Sequence, residues 1–282
     1  MTLFFRKYLF LLALPLVLAS CNDDDESSLP VPPNHPCRLV TLKLQRDNGD
    51  TVIINNYSYL ASGRLSRINK YNHNTEELET FRVLAYNNAG LPKTITTYIG
   101  HTLFPGNHAV EGYNTYSYNP QGLKTITRHF INLSGQQNFV HDIDYTYEYN
   151  AEKQVVKQTQ QELSSYYTYE YDLHGNVTRA DRFETDLQTN AFVLKYYTKY
   201  EYDNNPSLYS ALFRHFWEHP EELSPNNATR ITNYNPDGTI RENQDFNFTF
   251  TYNTKGYPTS RSYAASGTGY YYPKVFFEYE CK

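Results

Sequence analysis

The chain has 282 residues, 39% of them hydrophobic and 16% aromatic, with 29 tyrosines, 16 phenylalanines and one tryptophan. Its 30 acidic side chains outnumber 25 basic ones, so no basic stripe is left to neutralise phosphates, and nucleic acid is excluded as a partner. The mean hydropathy of −0.69 disfavours a chain whose bulk lies in lipid.

In chain order, residues 1–20 read as a processed targeting segment. Arg6 and Lys7 give a positive start, Tyr8 to Leu18 an apolar run, and Leu18-Ala19-Ser20-Cys21 a small-residue cleavage site. The run is too short to span a bilayer, which takes about 20 residues. A Cys at this place resembles the bacterial lipobox, and that resemblance implies a lipid on Cys21 and a membrane as partner. Residues 21–36 then form a tether. Asn22-Asp23-Asp24-Asp25-Glu26 is repelled by an anionic membrane surface, and Pro30, Pro32, Pro33 and Pro36 stiffen the rest of the tether. The acidic stretch resembles the surface-export signal of Bacteroidota lipoproteins, which implies an outer-membrane protein exposed at the cell surface.

Residues 37–282 are the folded domain. Two cysteines remain in it, Cys37 and Cys281, at its first and penultimate positions in a compartment that permits disulfides. The choice is between a bridge that closes nearly the whole domain and two unpaired thiols; the bridge is the expectation.

Within the domain a short pattern recurs: an alternating aromatic strand, Asn or Asp, two loose residues, then Gly. It begins with Tyr57-Ser58-Tyr59 and Gly63. Tyr86 to Gly90, Tyr118 to Gly122, Tyr171 to Gly175, Tyr234 to Gly238 and Tyr252 to Gly256 repeat it. Tyr149-Asn150 and Tyr202-Asp203 are degenerate copies, with Lys153 and Pro206 where Gly is expected. Each copy reads as a β-hairpin: Asn or Asp opens a turn by bonding backbone two residues on, and Gly takes the left-handed conformation before the return strand. Tyr145-Thr146-Tyr147-Glu148-Tyr149 and Tyr167-Thr168-Tyr169-Glu170-Tyr171 put tyrosines on one face and Thr and Glu on the other. The fold class expected is all-β, an antiparallel meander of about 16–18 strands rolled into a barrel-like sheet. A membrane-spanning barrel is disfavoured, because alternate positions carry Thr, Glu, Lys, Gln and Tyr rather than an apolar band.

One short helix is expected near 206–219. Leu208, Leu212 and Phe216 recur every four residues, as do Tyr209, Phe213 and Trp217, with Asn205 as N-cap, Pro206 at the first position and Pro220 as the stop. His215-Phe216-Trp217-Glu218-His219 on it matches a zinc-protease spacing, but the helix ends at the second His and lacks a third ligand, so packing is expected instead. Asp142 and Asp144 share a spacing usable for acid/base work or Ca²⁺, yet exposed strand carboxylates are commonplace. With no phosphate loop, nucleophile elbow or Cys/His pairing, the expectation is a non-catalytic protein with no cofactor and no metal. The candidate ligand contacts are Trp217 and the Tyr270-Tyr271-Tyr272 cluster, for a glycan or a protein. An architectural envelope protein without a ligand is the alternative.

The Tyr-[Asn/Asp]-x-x-Gly hairpin is similar to the YD repeat of Rhs-type proteins. The lipobox, acidic tether, Cys near each end and hairpin order together resemble a family of Bacteroidota lipoproteins of porin-like fold. The resemblance implies that fold for residues 37–281 and carries no activity with it.

Overall fold

The computed structural model describes residues 37–100, 109–133, 138–207, 224–264 and 274–281. The expected signal peptide and tether, with Cys21, lie outside them. Sixteen strands are described: β1 (Cys37–Gln45), β2 (Thr51–Tyr59), β3 (Leu65–Tyr71), β4 (Leu78–Tyr86), β5 (Pro92–Ile99), β6 (Val110–Tyr118), β7 (Lys124–Asn132), β8 (Phe139–Tyr149), β9 (Val155–Gln160), β10 (Ser165–Tyr171), β11 (Val177–Thr185), β12 (Phe192–Pro206), β13 (Asn226–Tyr234), β14 (Ile240–Tyr252), β15 (Pro258–Ala264) and β16 (Lys274–Cys281). Each pairs antiparallel with its sequence neighbours, and β1 pairs with β16, so the sheet is a closed barrel with no free edge. The expected all-β meander is present, at the lower end of the expected strand count.

The repeat turns form as their residues dictate. In the copy at Asn119, its Oδ1 accepts the amides of Gln121 and Leu123 at 3.1 and 2.9 Å, and the Gly122 amide bonds the Asn119 carbonyl. Gly122 has φ +73°, a region that penalises any side chain. In the degenerate copy at Asn150, its Oδ1 accepts the Gln154 amide at 2.8 Å and its carbonyl the Lys153 amide, with Lys153 held at φ +64°. These turns follow even-numbered strands and so line one end of the barrel, the repeat rim. The turn at Asn235-Gly238 differs: it joins β13 to β14 at the opposite rim.

Successive residues alternate faces, and the closed sheet makes one face interior. Leu39, Thr127, Gln158, Ser165, Val177 and Val275 are almost wholly buried and share that face with the repeat tyrosines by register. From β16 through β6 the interior is apolar, with Leu39, Leu42, Leu44, Val52, Ile54, Leu84 and Phe277 in one cluster. From β7 to β12 a smaller cluster around Tyr169, Val177 and Ala180 is interleaved with buried polar groups that satisfy one another. Thr127 Oγ1 lies 3.1 Å from the Tyr147 hydroxyl, Ser165 Oγ donates to Gln160 Oε1 at 2.9 Å, and the Tyr169 hydroxyl donates to Gln158 Oε1 at 3.0 Å. Arg182 also stands on this face. It donates to the Tyr167 hydroxyl and to Glu184. Burial opposes its charge, but those two partners raise its pKa above the ordinary guanidinium value.

The outer face is charged. Lys43 pairs with Glu278, Lys157 with Glu148 at 3.0 Å, Arg179 with Asp181 at 2.6 Å and Arg230 with Asp245 at 2.9 Å. Arg230 and Asp245 sit in mid-strand, where a lipid-facing barrel carries an apolar band about 25 Å tall. Among the described residues the outer face carries charged pairs on several strands.

The expected helix is corrected at its start. Asn205 and Pro206 close β12 rather than cap a helix, and Pro206 pairs with Asn226. The reason lies in Asp203, which behaves as the turn residue of a repeat. Its Oδ1 accepts the Asn205 amide at 2.9 Å, two residues on, and the Asn227 amide at 3.2 Å in the place of the fourth. The hairpin geometry thus survives although the chain leaves it after Ser207 and returns at Ser224. The remainder of the expected helix, including Trp217, His215 and His219, lies outside the described residues.

Candidate binding rim

The bridge between Cys37 and Cys281 forms, joining positions 244 residues apart. The two residues face each other across the β1–β16 seam at the repeat rim. That rim also carries a ring of tyrosine hydroxyls. Seven of them donate to backbone carbonyls near the start of the preceding odd strand: Tyr59 to Leu39 at 2.6 Å, Tyr86 to Leu65 at 2.5 Å, Tyr118 to Pro92 at 2.9 Å, Tyr149 to Lys124 at 2.6 Å, Tyr171 to Val155 at 2.7 Å, Tyr202 to Val177 at 2.8 Å and Tyr279 to Pro258 at 2.6 Å. The eighth, Tyr252, donates to the Asp203 carboxylate instead. Every even strand supplies one rung. Burial pushes the Tyr86 phenol up to about 12 and raises Tyr59, Tyr118 and Tyr149 further. This rim is built for closure, and its polar groups are already engaged.

The opposite rim is different in chemistry. On the outer face, away from the repeat turns, aromatic side chains stack between strands, three of these groups as follows. Phe81 of β4 stacks on Tyr98 of β5 with ring centroids 4.7 Å apart. Tyr113 of β6 stacks on Phe130 of β7 at 4.7 Å, and Phe139 of β8 meets Tyr113 edge-on at 5.2 Å. Tyr166 of β10 stacks on Phe183 of β11 at 4.7 Å, with Phe192 of β12 edge-on at 4.9 Å. Phe192 is 51% exposed, and Leu133, Leu163 and Leu187 in the rim's turns are 70%, 58% and 93% exposed. Most of the ring carbons are half-buried, so the stacks are held by cross-strand packing while their outer edges stay in water.

Of the sequence-derived candidates, Trp217, Tyr270, Tyr271 and Tyr272 lie outside the described residues. Asp142 and Asp144 do not act as a pair. A bulge between His129 and Phe130 on the β7–β8 ladder separates them, so that Asp142 Oδ2 meets His129 Nδ1 at 2.9 Å and Asp144 Oδ2 accepts from Arg128 Nε at 3.2 Å. The rim aromatics do not stand out in the sequence. Their signal, an aromatic at matching distance from the non-repeat turn on successive strands, becomes visible only when both strands of each hairpin are in register.

A similar fold occurs among solved structures. A porin-like protein from Bacteroides uniformis superposes over 87% of this chain and 98% of its own, with a TM-score of 0.51 and 15% identity. A second porin-like protein, from Bacteroides vulgatus, covers 86% of this chain and 98% of its own at a TM-score of 0.40 and 9% identity. The barrel is porin-like in fold. At these identities the likeness concerns fold alone. No family model and no curated protein matches the sequence.

Proposed function

We propose that the protein is a lipid-anchored, non-catalytic binding barrel of the outer membrane, held by Cys21 and engaging a glycan or protein ligand through the aromatic rim. One observation carries this reading: on an outer face rich in ion pairs, aromatic stacks collect at one rim, where Leu133, Leu163 and Leu187 are also exposed. Half-buried Tyr and Phe with fixed rings give large contact area at low ordering cost, the property of binding hot spots. The rim aromatics stand at the end of the barrel opposite Cys37. The charged exterior favours a barrel standing beside the membrane over one threaded through it. The engagement of Asp142 with His129 and of Asp144 with Arg128, rather than with each other, favours binding over acid/base chemistry.

The test is a glycan array and an affinity capture with the full chain and with Tyr166→Ala and Phe192→Ala. Binding that drops at least tenfold in both variants, about 1.4 kcal/mol, supports the reading. Ligand capture unchanged in both sinks it.

A further inference from the structure

We infer that His141, Asp144 and Glu162 form a site for a divalent transition metal, of the zinc class, on the outer face at the aromatic rim. His141 and Asp144 come from β8, and Glu162 from the turn between β9 and β10. One ligand atom from each lies within 4.8 Å of the others. The His141 Nε2 to Asp144 Oδ1 distance is 2.8 Å, and Nε2 to Glu162 Oε1 is 3.8 Å. A tetrahedral centre with bonds near 2.1 Å separates its ligands by about 3.4 Å. The observed distances straddle that value, so small side-chain rotations complete the set.

What distinguishes this trio from an ordinary surface cluster is the way each group is held from behind. Asp144 gives its Oδ2 to Arg128 Nε at 3.2 Å and turns Oδ1 toward the imidazole. Glu162 gives Oε2 to the Asp144 backbone amide at 2.7 Å and turns Oε1 the same way. The His141 ring packs edge-on against Phe130 at 5.6 Å, and Phe130 is itself stacked on Tyr113. Each carboxylate thus spends one oxygen on the protein and offers the other to a common point, the arrangement that outer-shell partners impose on metal ligands. The bulge that separates Asp142 from Asp144 supplies the register: it brings positions 141 and 144 to one face. One imidazole and two carboxylates suit zinc and its neighbours in the first transition row and do not suit Ca²⁺, which takes oxygen ligands. Three protein ligands leave a coordination position open toward solvent, beside the Tyr113–Phe130 stack.

The test is titration of Zn²⁺ into the full-length chain by calorimetry, with Ca²⁺ as comparison and melting curves recorded for every variant. One Zn²⁺ per chain is expected. Binding should weaken on the order of 100-fold in His141→Ala and at least tenfold in Glu162→Gln, a substitution on an exposed turn that leaves the barrel folded. The double variant His215→Ala/His219→Ala should bind as the parent does. Absence of Zn²⁺ binding, equal affinity in His141→Ala, or loss of binding only in the His215/His219 variant overturns the proposal. Since the melting curves report folding independently, a variant that fails to fold is read from Glu162→Gln instead. Glycan or protein capture that persists without metal leaves the rim reading intact, so the two proposals fail separately.

Discussion

At the scale of single residues, the repeat tyrosine does two jobs with one side chain. Its ring fills the interior, and its hydroxyl takes the carbonyl left over where the preceding odd strand begins. In Tyr118→Phe the ring stays and the Pro92 carbonyl loses its donor. A buried acceptor so orphaned costs about 1–3 kcal/mol, and for a domain of this size each kcal/mol lowers Tm by about 2–4 °C. Calorimetric scans of that variant should therefore show a drop of a few degrees; an unchanged Tm would mean that water reaches Pro92. Lys153 gives the opposite case. It holds φ +64° in a turn whose complete copies use Gly, at a cost of about 1 kcal/mol for a residue with a Cβ. Lys153→Gly is expected to raise unfolding free energy by about that amount in urea titration, with the slope unchanged.

At the scale of elements, the hairpin copies were legible because turn chemistry is local: Asn119 and Gly122 fix their own geometry within five residues. The degenerate copy at Asn150 was legible for the same reason. The rim to which a turn belongs was not. Tyr234-Asn235-Pro236-Asp237-Gly238 fits the motif better than any other copy, yet it follows an odd strand, and its Tyr234 stacks on Tyr197 at 4.9 Å instead of supplying a rung. Conversely Tyr279 supplies a rung with no turn after it, so no motif announced it. The start of the helix expected from Asn205-Pro206 failed because Asp203 captures the Asn227 amide. A bond spanning 24 residues overrode a capping signal spanning two. The Cys37–Cys281 bridge was expected on compartment and position, and the β1–β16 register now gives it a mechanical role as a pin across the seam. Closing a loop of 244 residues removes about 5.5 kcal/mol of unfolded-state entropy in the simple model. Reduction, or Cys37→Ser/Cys281→Ser, should lower the urea midpoint accordingly while the β-sheet circular dichroism of the native state persists, because the seam's backbone ladder remains. Loss of the β signal in buffer would show that the pin is required for closure.

For the whole molecule, the ring of tyrosines makes stability a collective function of pH. A phenol whose folded pKa exceeds its unfolded value of about 10 keeps its proton in the barrel at a pH where the unfolded chain has already released it. Its contribution is therefore fully present below about pH 10 and is lost as pH rises toward the folded value, about 12 for Tyr86. Each such group gives a slope of about 1.4 kcal/mol per pH unit across that window. Tyr59, Tyr118 and Tyr149 are all raised, chiefly by burial, so these three alone remove about 4 kcal/mol per unit. A domain holding about 5–15 kcal/mol in total then unfolds within about one to four units above pH 10. Neighbouring rungs also repel as they ionise: Tyr86 raises Tyr59, and Tyr149 and Tyr86 raise Tyr118. The first tyrosinate that forms therefore does so by opening the rim, which frees the others. Alkaline titration should show tyrosinate absorbance rising steeply together with the loss of β circular dichroism, over a narrower pH range than independent phenols give. If the phenols instead titrate broadly around pH 10 while the sheet signal stays constant, the hydroxyl ring is open to water and does not close the barrel.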